Sequence, residues 1–204
     1  LAAEINARAA AVNQVTADIP KLFDAIRRGD TVTVHRLLQA NRKLANAGDA
    51  NRLSALMTAV YYHQKAIVQF LRDAGAELDL FAAAAVGHLP EIEAHYQWNP
   101  KTVNWIARDG FTPLQLACFF GQEAVVRYLL ERRADLHAVS RNGMGLQAIH
   151  AAVAGRNPAI VRLLLEAGAD VHARQASGHT PIEAAVENQD EEIVAALRAA
   201  GAVE

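Results

Sequence analysis

Six stretches of this chain align with one another residue by residue, and that self-similarity constrains the fold more than any local propensity does. With Gly121 as the reference, the equivalent positions are Gly29, His63, Gly87, Gly121, Arg156 and Gln189, spaced by 34, 24, 34, 35 and 33 residues. Four residues before the reference every stretch has alanine: Ala25, Ala59, Ala83, Ala117, Ala152 and Ala185. Seven before it stand Leu22, Leu56, Leu80, Leu114, Ile149 and Ile182, and five after it Val34, Val68, Ile92, Val126, Val161 and Val194. Eight after it the column reads Leu37, Leu71, His95, Leu129, Leu164 and Leu197, failing once, at His95.

The apolar residue and the alanine of each stretch are three positions apart, so they share one helix face, and the alanine lets a neighbouring helix approach closely. Thr112-Pro113 and Thr180-Pro181 mark helix starts, because threonine caps the first turn and proline at the first helical position forgoes no hydrogen bond. A second start follows each short turn, near Pro90 and Pro158, with Asn157 and Asp190 as expected caps. Each repeat is therefore two helices and an extended finger, as in Gly168-Ala-Asp-Val-His-Ala-Arg174. One such pair cannot bury both of its faces, so the repeats must stack.

Gly110-Phe-Thr-Pro-Leu-Gln-Leu-Ala117 and Gly178-His-Thr-Pro-Ile-Glu-Ala-Ala185 resemble the Gly-x-Thr-Pro-Leu-His-x-Ala opening of ankyrin repeats. Val161-Arg-Leu-Leu-Leu-Glu-Ala-Gly-Ala-Asp170 is similar to the end of that family's second helix and the turn after it. The resemblance extends over residues 18–204. It implies an all-α ankyrin-repeat solenoid of about six helix-turn-helix repeats with short β-hairpin finger loops, and a scaffold or adaptor that binds a folded protein. The repeats are assigned to residues 18–52, 53–77, 78–109, 110–142, 143–177 and 178–204, with residues 1–17 as an N-terminal capping helix whose contacts are Ile5, Val12 and Val15.

Two irregularities stand out. The 24-residue spacing removes about ten residues, so the finger between repeats two and three is missing. Either the deletion is silent, or it leaves a notch that exposes repeat two, admits a partner, or forms a pocket in which the protein senses a small molecule. The fifth finger, Ser140-Arg-Asn-Gly-Met-Gly145, is instead longer by about two residues, and its helix begins at Gln147-Ala148 in place of Thr-Pro, which predicts a poorer cap.

The two residues before each reference position end the first helix and, in the family resembled, face the concave groove. Here they are Arg27-Arg28, Tyr61-Tyr62, Ala85-Val86, Phe119-Phe120, Ala154-Gly155 and Glu187-Asn188. Aromatic residues make up only 6% of the chain, so two aromatic pairs in equivalent slots are conspicuous. Tyr61, Tyr62, Phe119 and Phe120 are the expected partner-binding anchors, since buried aromatics dominate binding energy. The alternative is packing within the chain. Arg108, Asp109, Phe111, Arg141, Asn142, Met144 and Leu146 occupy finger tips, which the resemblance associates with partner contact; Arg108, Phe111, Arg141 and Met144 complete the proposed surface.

Other functions are disfavoured by composition and spacing. A formal charge of −2 lacks the basic footprint that phosphate-backbone binding requires. Cys118 is the single cysteine, expected to be buried packing, and neither a disulfide nor a multi-cysteine zinc site is available. Among the eight histidines there is no HExxH or cysteine-histidine spacing, so no metal or cofactor is expected. His150 stands at the histidine of the family opening, and His137 and His172 are equivalent turn residues. No nucleophile elbow or phosphate-cradling glycine loop is present, which speaks against an enzyme. No apolar run approaches the ~20 residues that span a bilayer. A soluble, monomeric, cytoplasmic protein is expected, although Leu1 leaves room for a removed leader.

Overall fold

A computed structural model describes residues 16–203. The capping-helix assignment to residues 1–17 lies outside the described residues, apart from its last two positions, which belong to a helix that runs on to residue 28. The chain divides into two compact units, Leu1–Glu77 and Leu78–Glu204, and the division falls where the finger is missing from the sequence.

In the first compact unit, helix α1 (described over 16–28) is followed by α2 (Thr31–Ala40), a 3₁₀ turn (Arg42–Asn46), α3 (Ala55–Tyr61) and α4 (Lys65–Asp73). Asp30 and Ser54 cap α2 and α3 by accepting from Thr33 N–H and Met57 N–H at 3.0 and 3.1 Å. Leu22, Ala25, Val34, Leu56, Ala59 and Leu71, all column residues, are buried. Val68 departs from its column: it is half-buried, while Ile67 and Leu71 carry the buried face of α4.

The second compact unit holds four helix pairs: α5 (Leu80–Val86) with α6 (Leu89–Trp98), α7 (Pro113–Phe119) with α8 (Glu123–Glu131), α9 (Ala148–Ala154) with α10 (Pro158–Glu166), and α11 (Pro181–Glu187) with α12 (Glu191–Ala199). A 3₁₀ turn, Pro100–Asn104, follows α6. The seven-residue helices α5, α7, α9 and α11 pack side by side in sequence, and α6, α8, α10 and α12 form the second row. Ala83, Ala117, Ala152 and Ala185 are fully buried between them, so the invariant alanine column sets the helix spacing.

All six reference positions have positive φ, from 53° at Arg156 to 80° at Gly87. This left-handed residue turns the chain between the two helices, a conformation glycine adopts freely and other residues at a cost of about 1 kcal/mol. Glycine at 87 has a second cause. A Cβ there would lie 2.3 Å from Gln122 Oε1, because the Gln122 side chain crosses it to donate to Ala85 O at 2.9 Å.

The expected caps are present. Thr112 and Thr180 accept from Gln115 N–H and Glu183 N–H, and Asn157 and Asp190 accept from Ile160 N–H and Ile193 N–H. The start of α9 is better satisfied than Gln147-Ala148 predicts, since His150 Nδ1 reaches back to accept Gln147 N–H at 3.1 Å. Backbone hydrogen bonds close the fingers: Asp49 N to Leu53 O with Ala55 N to Ala47 O, Ala107 N to Phe111 O, Ser140 N to Leu146 O, and Gln175 N to His179 O. Among the described residues the β pairing outside named strands is one isolated bridge, Gly48 with Ser54.

Candidate functional site

The residue pairs that end the first helices come out in two states. In the first compact unit, Tyr61 is the last residue of α3 and half-buried, while Tyr62 caps it with 49% of its surface exposed. Arg27 and Arg28, in the equivalent slot of the preceding repeat, pair with Asp49 at 3.7 Å and Asp24 at 2.6 Å. That slot is charged and exposed.

In the second compact unit, Phe119 ends α7 and Phe120 caps it, both half-buried. Their rings meet edge to face, 4.9 Å between centroids at 89°, a favoured aromatic geometry. The backbone beneath them is tightly held: a Cβ on Gly155 would lie 2.3 Å from Phe119 O. The two aromatic pairs therefore belong to different compact units.

Two neighbouring fingers of the second unit come together as the sequence suggests. Arg141 N–H donates to Gly110 O at 2.8 Å, which sets the tip carrying Arg108 and Phe111 against the tip carrying Arg141 and Met144. Arg108, Arg141 and Met144 are exposed, Met144 at 54%, and Phe111 is half-buried. The longer fifth finger is built by its own side chains. Ser140 Oγ accepts from Leu146 N–H at 3.0 Å, Asn142 Oδ1 accepts from Met144 N–H at 3.1 Å, and Gly143 and Gly145 supply left-handed φ values of 84° and 67°.

Behind this finger stands a buried glutamine that sequence reasoning did not single out. Gln115, at the third position of α7, accepts from Thr112 N–H at 2.9 Å and donates to Ala138 O and Leu146 O at 2.9 and 2.7 Å. One side chain thus fastens the start of its own helix to both ends of the next finger. His150 does the same one repeat later, with Nε2 3.1 Å from Ala173 O. Because Nδ1 accepts, Nε2 carries the proton. Burial lowers the His150 pKa below 6.5 despite the opposing backbone hydrogen bonds.

Sequence reasoning also missed a cleft of ≈ 420 Å³ beside Met144, lined by Leu146, His150, Ala154, Ala176 and Ala184. Its signal was the small pair Ala154-Gly155 in a slot that carries aromatic residues in two other repeats.

Little chemistry is on offer. Cys118 is fully buried and its thiol is pushed up well above its ordinary range, so no thiolate forms. Among the described residues no three His, Cys, Asp or Glu side chains are placed to hold a metal ion, and no helix is long and apolar enough to cross a membrane.

Comparison with known proteins agrees with the repeat pattern. The family model described as ankyrin repeats in many copies matches residues 114–165 and 149–198. The human DNA-binding protein RFXANK is 38% identical over 64 residues, which is 31% of this chain and 25% of that protein. The chain thus covers about a quarter of that relative's length. Ankyrin repeats thus account for residues 114–198, and the four columns of repeat residues, set in stacked helix pairs with finger turns between them, carry the same pattern along the described chain.

Proposed function

We propose that this chain is an interaction scaffold or adaptor that holds a folded protein partner through its concave groove and finger loops. Ankyrin repeats are generally protein–protein interaction modules and typically non-enzymatic. The observation that carries the reading here is the pair of abutting fingers that leave Arg108, Arg141 and Met144 exposed in the same compact unit as the Phe119–Phe120 pair. Methionine, arginine and aromatic side chains are the types enriched where proteins bind one another. Tyr61 and Tyr62 extend the proposed surface in the first compact unit.

DNA binding is a property named for RFXANK as a whole, and a net charge of −2 gives this chain no general attraction to phosphate. A protein partner is favoured.

The test uses variants that spare the core. R108E/R141E/M144E changes exposed finger residues, and Y62A removes the half-exposed tyrosine. Affinity capture from lysate of the source cells should lose the same set of proteins with the finger variant, weakened at least tenfold, while the circular dichroism spectrum and unfolding midpoint match those of the parent. Capture unaffected by these changes would overturn the proposal.

A further inference from the structure

The chain has two tryptophans, Trp98 and Trp105, and both face solvent in the second compact unit, with 72% and 38% of their surfaces exposed. Their rings meet edge to face, 5.8 Å apart at 81°. Tryptophan is highly buried on average, so a solvent-facing pair calls for a cause.

The fold itself does not need them, as an internal comparison shows. Repeat one carries the same local structure without the rings. Gln39-Ala-Asn-Arg-Lys-Leu-Ala-Asn-Ala47 aligns with Gln97-Trp-Asn-Pro-Lys-Thr-Val-Asn-Trp105. In both, an asparagine with φ near −154° caps a 3₁₀ turn by accepting the lysine N–H at 3.1 Å: Asn41 at −153° and Asn99 at −155°. In both, a second asparagine accepts a backbone N–H at the end of the next repeat's second helix, Asn46 from Glu77 at 2.7 Å and Asn104 from Asp135 at 2.8 Å. At the tryptophan positions repeat one has Ala40 and Ala47. The turn forms equally well with alanine there.

The surroundings are basic. Lys101 lies between the tryptophans, and the Asn104–Asp135 bond brings the turn after α8, with Arg133, to the same edge. Lys101 and Arg133 are exposed and their charged groups have no ionic partner among the described residues. Of the neighbouring acids, Glu131 pairs with Arg132 at 3.3 Å, and Asp135, which accepts His137 N–H at 3.0 Å, keeps its charge, so the two cations leave the edge net positive.

We propose that Trp98 and Trp105, flanked by Lys101 and Arg133, form a second docking site, distinct from the finger surface, that takes an acidic peptide segment with an apolar anchor residue. Charge complementarity selects the acidic segment, and the exposed ring faces take the anchor. A single-stranded nucleic acid fits less well: its binding needs a cationic track and parallel stacking platforms, whereas this site has two free cations and crossed rings.

Because both tryptophans are in the site, intrinsic fluorescence reports on it alone. A random dodecapeptide display is panned on the intact chain and depleted on W98A/W105A; should that variant lose its helical circular dichroism, K101E/R133E replaces it. Enriched peptides of net negative charge, each with a leucine, isoleucine or phenylalanine, are expected. Synthesised without tryptophan, they should shift the emission to the blue and bind at least tenfold more weakly to K101E/R133E, while R108E/R141E/M144E binds them unchanged. The proposal is overturned by no enrichment above the depleted control, by enriched peptides of net positive charge, or by an emission shift that dT12 produces and the peptides do not.

Discussion

Gln115 is the side chain whose removal should reveal how this fold is fastened. Replacing it with leucine keeps the volume close to that of the buried amide, so the effect comes from three lost hydrogen bonds: one accepted from Thr112 N–H and two donated to Ala138 O and Leu146 O. Thr112 is buried, and the two finger carbonyls belong to half-buried residues that water can partly reach. An orphaned buried group costs about 1–3 kcal/mol; Leu146 O keeps its bond from Ser140 N–H, so the lower end for each of the two groups left without a partner, Thr112 N–H and Ala138 O, gives about 2 kcal/mol for Gln115→Leu. For a chain of this size that is a fall in unfolding midpoint of about 4–8 °C. Gln115→His is the control. An imidazole placed as in His150 accepts the Thr112 N–H and donates to Ala138 O, while Leu146 O keeps its bond from Ser140 N–H, and so costs less than about 1 kcal/mol. Urea unfolding followed at 222 nm measures both, and amide exchange at Leu146 and Ser140 locates the loosening. A Gln115→Leu loss below about 1 kcal/mol, or an equal loss in Gln115→His, would refute the reasoning.

Two further outcomes follow from the same geometry. His150 has a folded-state pKa lowered by burial, so the unfolded chain binds its proton first; stability from this residue is intact above pH 6.5 and declines as the pH falls from there to the lowered folded value. His150→Gln retains both hydrogen bonds in the manner of Gln115 and should remove that part of the pH dependence, measured as the difference between the two urea midpoints across pH 7 to 5. Gly155→Ala places a methyl group 2.3 Å from Phe119 O while φ stays helical at −75°, so its cost is one of overpacking, about 1–3 kcal/mol by thermal unfolding. A variant as stable as the parent would show that α7 and α9 separate without cost.

The column residues were legible because one physical demand repeats along the chain. Leu22, Leu114 and Ile182 sit where every first helix must bury an apolar residue, and Ala83 and Ala152 where helices touch, so each position is tested six times within one sequence. The caps Thr112, Thr180, Asn157 and Asp190 were legible for a local reason: a helix start is satisfied by a residue three positions away. Parts of the candidate surface were legible too. The finger tips with Arg108, Arg141 and Met144 emerge exposed because the turns that carry them are encoded locally by glycine and asparagine.

Properties that depend on residues far apart in the chain were not legible. Nothing local marks Gln115 as a fastener, since Leu146 lies 31 residues away and its carbonyl becomes a partner only once the repeats stack. The cleft beside Met144 exists because small side chains of three successive segments come together. Trp98 and Trp105 read as two scattered aromatics until a 3₁₀ turn folds them edge to face. The amino-acid sequence alone determined the repeat, its helices and their buried faces, because these rest on periodic burial and local hydrogen bonding. The tertiary structure decided which polar groups meet and which rings stay in water, because those depend on distances that only packing sets.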